Sequence, residues 1–208
     1  MGLTGWIGGC AVLRAVVPLA IGCAAVAQAA TVQIEVQDAA ARPLGDAVVF
    51  LDSAEARRQV RPLAGLELAQ QKKQFLPQVL VVPLGSEVHF PNHDTVRHHV
   101  YSFSPAKPFE LKLYIGTPAA PVVFDKPGVV VMGCNIHDPM VAYVVVSDTP
   151  WVGVSDAAGQ VRIDGAPVGE YELEYWHPRW AGSTNELARQ PLRLNGADRH
   201  TLVIGAQP

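Results

Sequence analysis

The residues of this chain best suited to chemistry lie in one short stretch, Cys134-Asn135-Ile136-His137-Asp138-Pro139-Met140. The spacing C-x2-H-x2-M sets a thiolate, an imidazole and a thioether on one tight loop. Thiolate and thioether favour reduced copper and imidazole tolerates both oxidation states, so the set suits one ion cycling between Cu(I) and Cu(II). Zinc fits less well, because structural zinc takes four strong ligands, usually with more than one cysteine. A copper ion held here needs a further equatorial donor, expected to be a histidine from elsewhere. The stretch Asn92-His93-Asp94-Thr95-Val96-Arg97-His98-His99 offers candidates. His98 and His99 are adjacent on an expected strand and point to opposite faces, so only one of them turns inward. His93 reads as a polar loop residue. Cys134 and His137 also have the makings of a nucleophile–base pair, but on so tight a loop they converge on one ion more readily than on a substrate. No serine-centred elbow and no glycine-rich phosphate loop is present, so no catalytic residue is expected and the chain is not read as an enzyme.

The cysteine count sharpens this. The other two cysteines, Cys10 and Cys23, lie in an N-terminal segment whose only charge within residues 1–30 is Arg14. An apolar stretch from Ala15 to Ala27 is too short for a comfortable membrane span. It ends at Ala27-Gln28-Ala29, which fits the A-x-A rule for signal peptidase. Residues 1–29 are therefore expected to be a cleaved secretory signal, giving a periplasmic protein with no membrane segment after cleavage. Lipid attachment at Cys23 is disfavoured by Ala20 at the −3 position. Cleavage leaves Cys134 unpaired in an oxidising compartment, where cysteines usually come in pairs. A lone thiol there survives if it is buried or bound to a metal.

The elements that must position these residues read as all β. The chain has 208 residues, of which 49% are hydrophobic and 17% charged, with a net charge of −3. That supports a real core and excludes the concentrated basic surface of a nucleic-acid binder. Short β-branched runs recur between turn signals: Thr31–Val36, Ala47–Leu51, Val79–Val82, Val88–Phe90, His99–Phe103, Val122–Phe124, Val129–Met132 and Ala142–Val146. The best helical candidate, Ser53–Gln59, is short. Residues 60–75 carry clustered charge and amides and are expected to be a connecting loop. Residues 154–163 read as a hairpin with a tight Asp/Gly turn, and Tyr171, Leu173 and Tyr175 fall on one face of a strand. His177, between Trp176 and Pro178, reads as strand-end packing rather than part of an aromatic binding surface.

The series Val82, Gly85, Val88, Phe90, Asn92, followed by a loop and His98, resembles plastocyanin and amicyanin, the small blue copper proteins. Their first ligand histidine follows a strand, an Asn and a short loop. The match places His98 on that ligand, with His99 as the alternative. It puts His99 in the place of the family's Asn, which hydrogen-bonds across to the cysteine loop. Amicyanin shares the C-x2-H-x2-M spacing. The resemblance covers roughly residues 69–148 and implies a Greek-key β-sandwich of the cupredoxin kind, holding one copper through His98, Cys134, His137 and Met140. The same block resembles bacterial proteins called methylamine utilization or plastocyanin-like proteins, through HHVYSFSPAK, FEL and CNIH. His99, Asn135 and Asp138 are expected to touch the ligands. Asp138 departs from the apolar surround of amicyanin, which puts the choice of redox partner in doubt.

Residues 155–177 (D-x-x-G-x-x-x-I, P-x-G-x-Y-x-L) and 36–49 resemble a second fold, the carboxypeptidase regulatory-like or transthyretin-like sandwich. The expected organisation is thus a signal at 1–29, a cupredoxin at 69–148, and a second β-sandwich from 30–56 with 149–206 into which the first is inserted. A rival assigns the N-terminal strand to the cupredoxin itself. The expected function is one-electron transfer between a protein donor and a protein acceptor. The alternatives are copper delivery or sensing docked through the second sandwich, and a structural module with a vestigial site.

Overall fold

Alternation with a period of two sets Ala30, Val32, Ile34 and Val36 on one buried face of the strand Ala29–Asp38, and similar patterns govern the rest of the chain. The computed structural model describes residues 1–2, 29–180 and 187–204. Most of the expected signal segment, and Cys23 with it, lies outside the described residues. The architecture is all β, with one short helix, Ala54–Gln59. Ser53 caps that helix by accepting the amide of Ala56, which satisfies one of the amides the first turn leaves free.

Four of the five sheets among the described residues stack on one another. Ser86–His89 pairs with Val122–Phe124 on one side and Leu66–Glu67 on the other. This sheet faces a five-stranded one in the order Val79–Pro83, Val141–Ser147, Gly128–Cys134, His98–Ser102, Phe109–Tyr114. Val88 and Phe124 from the first meet Val82, Val100, Val130, Met132 and Val144 from the second in one core. The five-stranded sheet is covered on its other face too. Val79, Val129 and Val145 join a second core, and the ring of Tyr143 lies 5.0 Å from that of Trp176. A strand buried on both faces has no reason to alternate, which accounts for the run Val-Ala-Tyr-Val-Val-Val at 141–146.

Trp176 belongs to a four-stranded sheet, Val152–Val154, Val48–Asp52, Gly169–Trp176, Ala188–Leu194. Cross-strand partners share a face, so Val48 and Phe50 lie with Trp176 and Glu174 toward the five-stranded sheet, and Leu51 lies with Leu173 on the opposite side. There the fourth sheet, Gln160–Pro167, Ala29–Asp38, Ala197–Ile204, closes the stack. Every residue of Val48–Asp52 is buried as a result. Among the described residues no helix is long and apolar enough to cross a membrane.

Two expectations need correction. Residues 60–75 are not simply a loop: Leu66–Glu67 joins a sheet, and Ala69–Gln71 pairs with Gln74–Leu76 as a hairpin. Its two-residue turn is Lys72-Lys73, at φ 55° and 56°. Left-handed backbone costs an ordinary residue about 1–2 kcal/mol; without Gly or Asn the local sequence gives no sign of this turn, which a tertiary contact holds. The Asp156–Gly159 turn does form, with Asp156 accepting the amides of Ala158 and Gln160. Gly159 sits at φ 74° where a Cβ would lie 2.3 Å from the carbonyl oxygen of Val36. Its flanking strands join different sheets, however, so it is an arch and not a hairpin. Alternation cannot tell the two apart, because it fixes a face and not a partner. His177 packs as expected, with Nε2 on the carbonyl of Gly45 and Nδ1 accepting the amide of Arg179. Burial pushes its pKa down.

Trp176 is 0% exposed, and its indole N–H has no partner among the described residues. Trp176→Ala should lower stability in urea by about 3–5 kcal/mol, while Trp176→Phe should be milder because it removes a polar group that is buried unpaired. Asp38 accepts the Arg42 side chain and the amides of Arg42 and Ala40. The Arg42 side chain, then its amide, hold the Asp38 pKa at about 2. A depressed carboxylate contributes stability above its unfolded value, about 4, and loses it as pH falls through the folded value. Acid denaturation of Asp38→Asn should lack the part of the parent's stability loss that falls between those two values.

Candidate metal centre

The strand Gly128–Cys134 delivers Cys134 at its last position, and the loop after it folds back on itself. The amide of Cys134 donates to the carbonyl of Met140 (3.2 Å), that of His137 to Cys134 (3.3 Å), and that of Met140 to His137 (2.9 Å). These bonds bring His137 back over Cys134 and turn Met140 inward, where it is 1% exposed in the same core as Cys134 and Met132. The amide of Asn135 donates to the carbonyl of His99 (3.1 Å), tying the loop to the neighbouring strand. Gly133 has a packing reason to be glycine: its partner Tyr101 lies over it, and a Cβ would stand 3.1 Å from that ring.

The distant histidine arrives through strand register. Cys134 pairs with Val100, and His98 lies two residues before Val100 on the same face, so Cys134 and His98 are diagonal neighbours. A bulge in the pairing with Phe109–Tyr114 falls between His98 and Val100, and bulges commonly re-aim a side chain beside a site. The Cys134 sulfur lies 3.6 Å from Nδ1 of His98 and 3.6 Å from Nδ1 of His137. All three donor atoms fall within 4.8 Å of one another. The imidazole rings of His98 and His137 are 5.0 Å apart, centroid to centroid. His98 is fully buried, Cys134 is 4% exposed and His137 is half-buried. A first-row ion about 2.3 Å from sulfur and about 2.0–2.1 Å from each nitrogen separates S from N by about 3.6–3.8 Å. Both sulfur–nitrogen distances stand at the spacing such an ion needs, so the residues fit a metal.

The structure therefore brings together His98, Cys134 and His137, and buries Met140 at the end of the same loop. It does not bring His99 in: its ring turns to the opposite face and pairs with Glu110 at 2.8 Å. His99 still meets the cysteine loop, through its backbone carbonyl rather than its side chain. The side chains of Asn135 and Asp138 are exposed, and so is that of His93.

Three residues were given no role at the site from sequence, although Asn92 was part of the series leading to His98. Asp94 places Oδ2 2.8 Å from Nε2 of His98 and also accepts the amides of Lys72 and Lys73. Its partial burial raises its pKa, but the Lys73 amide, the His98 ring and the Lys72 amide outweigh that and hold it below the usual carboxylate range. The sign available in the sequence was a carboxylate four residues before a candidate ligand. Asn92 is buried and organises the loop, donating to the carbonyls of Val96 and Tyr114 and accepting the amide of Asp94. Tyr114 donates to the carbonyl of Phe90 and meets Gln70. Burial pushes its pKa up to about 12, against the hydrogen bond with Gln70, which lowers it.

No family model matches the chain, and no curated protein does. Among solved structures, a copper-containing nitrite reductase (NirK) from Thermus scotoductus SA-01 is similar at 26% identity and TM-score 0.37, covering 42% of this chain and 22% of that one. The chain thus spans about a fifth of that protein's length. A purple cupredoxin from Nitrosopumilus maritimus is similar at 23% identity and TM-score 0.36, over 40% of this chain and all of that one. A reduced Cu(I) form of an amicyanin variant is similar at 21% identity and TM-score 0.36, over 48% of this chain and 98% of that one. The reading of the site rests on its own donor geometry.

Proposed function

We propose that the protein is a periplasmic cupredoxin that would hold one copper ion through Cys134, His98 and His137, with Met140 as a weak thioether donor, and carries single electrons between protein partners. The observation that carries this reading is the pair of 3.6 Å distances from the Cys134 sulfur to two imidazole nitrogens. A set of one thiolate, two imidazoles and a thioether would suit copper better than zinc, which prefers four strong ligands. When bound, copper supplies a reversible one-electron change and no bond chemistry.

The chain's own residues supply the rest. His98 and Cys134 are buried, so water is kept from the site, and the hydrogen bonds of the 134–140 loop hold the donors in one arrangement. A donor set that need not move between oxidation states keeps reorganisation small. His137, half-buried beside exposed Ile136 and Pro139, is the donor nearest solvent and the edge through which an electron enters and leaves. We further propose the division anticipated from sequence: residues 30–56 with 149–206 as a carboxypeptidase regulatory-like sandwich, with 69–148 inserted as the copper domain. In its support, the strands Ala29–Asp38 and Val48–Asp52 pair with strands that follow Val152. Export is supported by the A-x-A end of the first segment and by the lone buried thiol.

Loading with Cu(II) should give an intense visible band from thiolate-to-copper charge transfer, bleached by ascorbate and restored by ferricyanide. Cys134→Ser should abolish the band, His98→Ala should abolish or strongly shift it, and His99→Ala should leave it in place. Tight Cu(II) binding without the band or without reversible bleaching would point instead to copper delivery. Equal copper binding by Cys134→Ala would end the site assignment. For export, protein recovered from a periplasmic fraction should begin at Ala30, as read by intact mass.

A further inference from the structure

The Asp94 carboxylate carries three donors on two oxygens. Oδ1 accepts the amide of Lys72 (2.6 Å), while Oδ2 accepts the amide of Lys73 (2.8 Å) and lies 2.8 Å from Nε2 of His98. The two lysines are the left-handed turn of the hairpin Ala69–Gln71/Gln74–Leu76. Backbone of that kind persists at non-glycine residues where surrounding contacts over-determine it, and here the contact is Asp94. The dependence runs both ways, since the closed turn also fixes where the carboxylate points. An ionised carboxylate only accepts hydrogen bonds, so the ring nitrogen facing it must carry the proton. With the proton on Nε2, the lone pair of His98 lies on Nδ1, the atom 3.6 Å from the Cys134 sulfur.

We propose that Asp94 is a positioning residue of the metal centre: locked by the Lys72-Lys73 turn, its carboxylate fixes His98 with the proton on Nε2 and aims the Nδ1 lone pair at the site. The effect on copper rests on the function proposed above; the position of the proton does not. A ligand histidine whose far N–H donates to a carboxylate is a more basic donor, and such partners typically change metal affinity about 10–100-fold. The added negative charge favours the more oxidised ion and so lowers the reduction potential.

The test has a metal-free and a metal-loaded arm. In the metal-free protein, nitrogen-15 NMR of the His98 ring should show a protonated Nε2 and a bare Nδ1. In the loaded protein, Asp94→Ala should weaken Cu(II) binding about 10–100-fold. Asp94→Asn can still accept from Nε2, so it should keep the proton there while raising the reduction potential. Both variants also disturb the hairpin. They are therefore repeated with Lys72→Asn and Lys73→Gly in place, since Asn-Gly takes this turn by itself, and each is compared with Asp94 in that same background. The proposal stands if the loss of Cu(II) affinity and the rise in potential persist there. It is overturned if they vanish once the turn is self-sufficient, or if the parent carries its proton on Nδ1. A parent that shows the stated proton position but binds no copper would overturn the function and uphold the role of Asp94.

Discussion

The register between the strands Gly128–Cys134 and His98–Ser102 is the constraint on which the site depends. With Cys134 opposite Val100, the thiol and the His98 ring share a face and meet across one diagonal. A slip of one residue would turn every side chain of one strand to the other face, presenting His99 in place of His98. The register is held on both sides. Val130 and Met132 point into the core below the site, and Val129 points into the one behind it, so a slipped strand would misplace apolar residues on two fronts at once. Short polar links add to this, including the Asn135 amide on the His99 carbonyl and the Ser104 hydroxyl, which accepts the amide of Val131.

Around the donors, most buried polar groups have partners, the side-chain oxygen of Gln70 being an exception among the described residues. A polar group left unpaired in a core costs more than a paired one contributes, and the loop before His98 shows how this is met. Asn92 spends its amide and carbonyl on Val96, Tyr114 and Asp94, and the Gln70 amide reaches Phe90 and Tyr114. The effect is a loop with little regular structure and few free orientations, which presents His98 without relying on a metal to arrange it.

The two-faced sheet also joins the sandwich that carries Cys134 to the sandwich behind it. Tyr143 and Val145 leave the strand that follows Met140 and pack where Trp176 and Val79 meet. Charge spans the same boundary: Arg57, on the short helix, binds Asp52 and reaches Asp148 at 3.2 Å. The strand Val141–Ser147 thus leads from the metal loop to the sandwich behind it.

The sequence by itself determined the donor types and most of the strands. C-x2-H-x2-M is a local spacing, and alternation is a local pattern, so Cys134, His137, Met140 and strands such as Val122–Phe124 could be read directly. It also set His98 and His99 on opposite faces, because neighbours on a strand always diverge. Which of the two turns inward was decided by pairing to a strand some 30 residues on. The Lys72-Lys73 turn, the arch at Asp156–Gly159 and the role of Asp94 were likewise decided only in three dimensions. Each depends on a group distant in sequence: a carboxylate that receives two strained amides, a sheet that claims one flank of a turn, a ring nitrogen that needs an acceptor. Local patterns record which face a residue presents; they do not record what waits on that face, and at this site that is what orients the ligand.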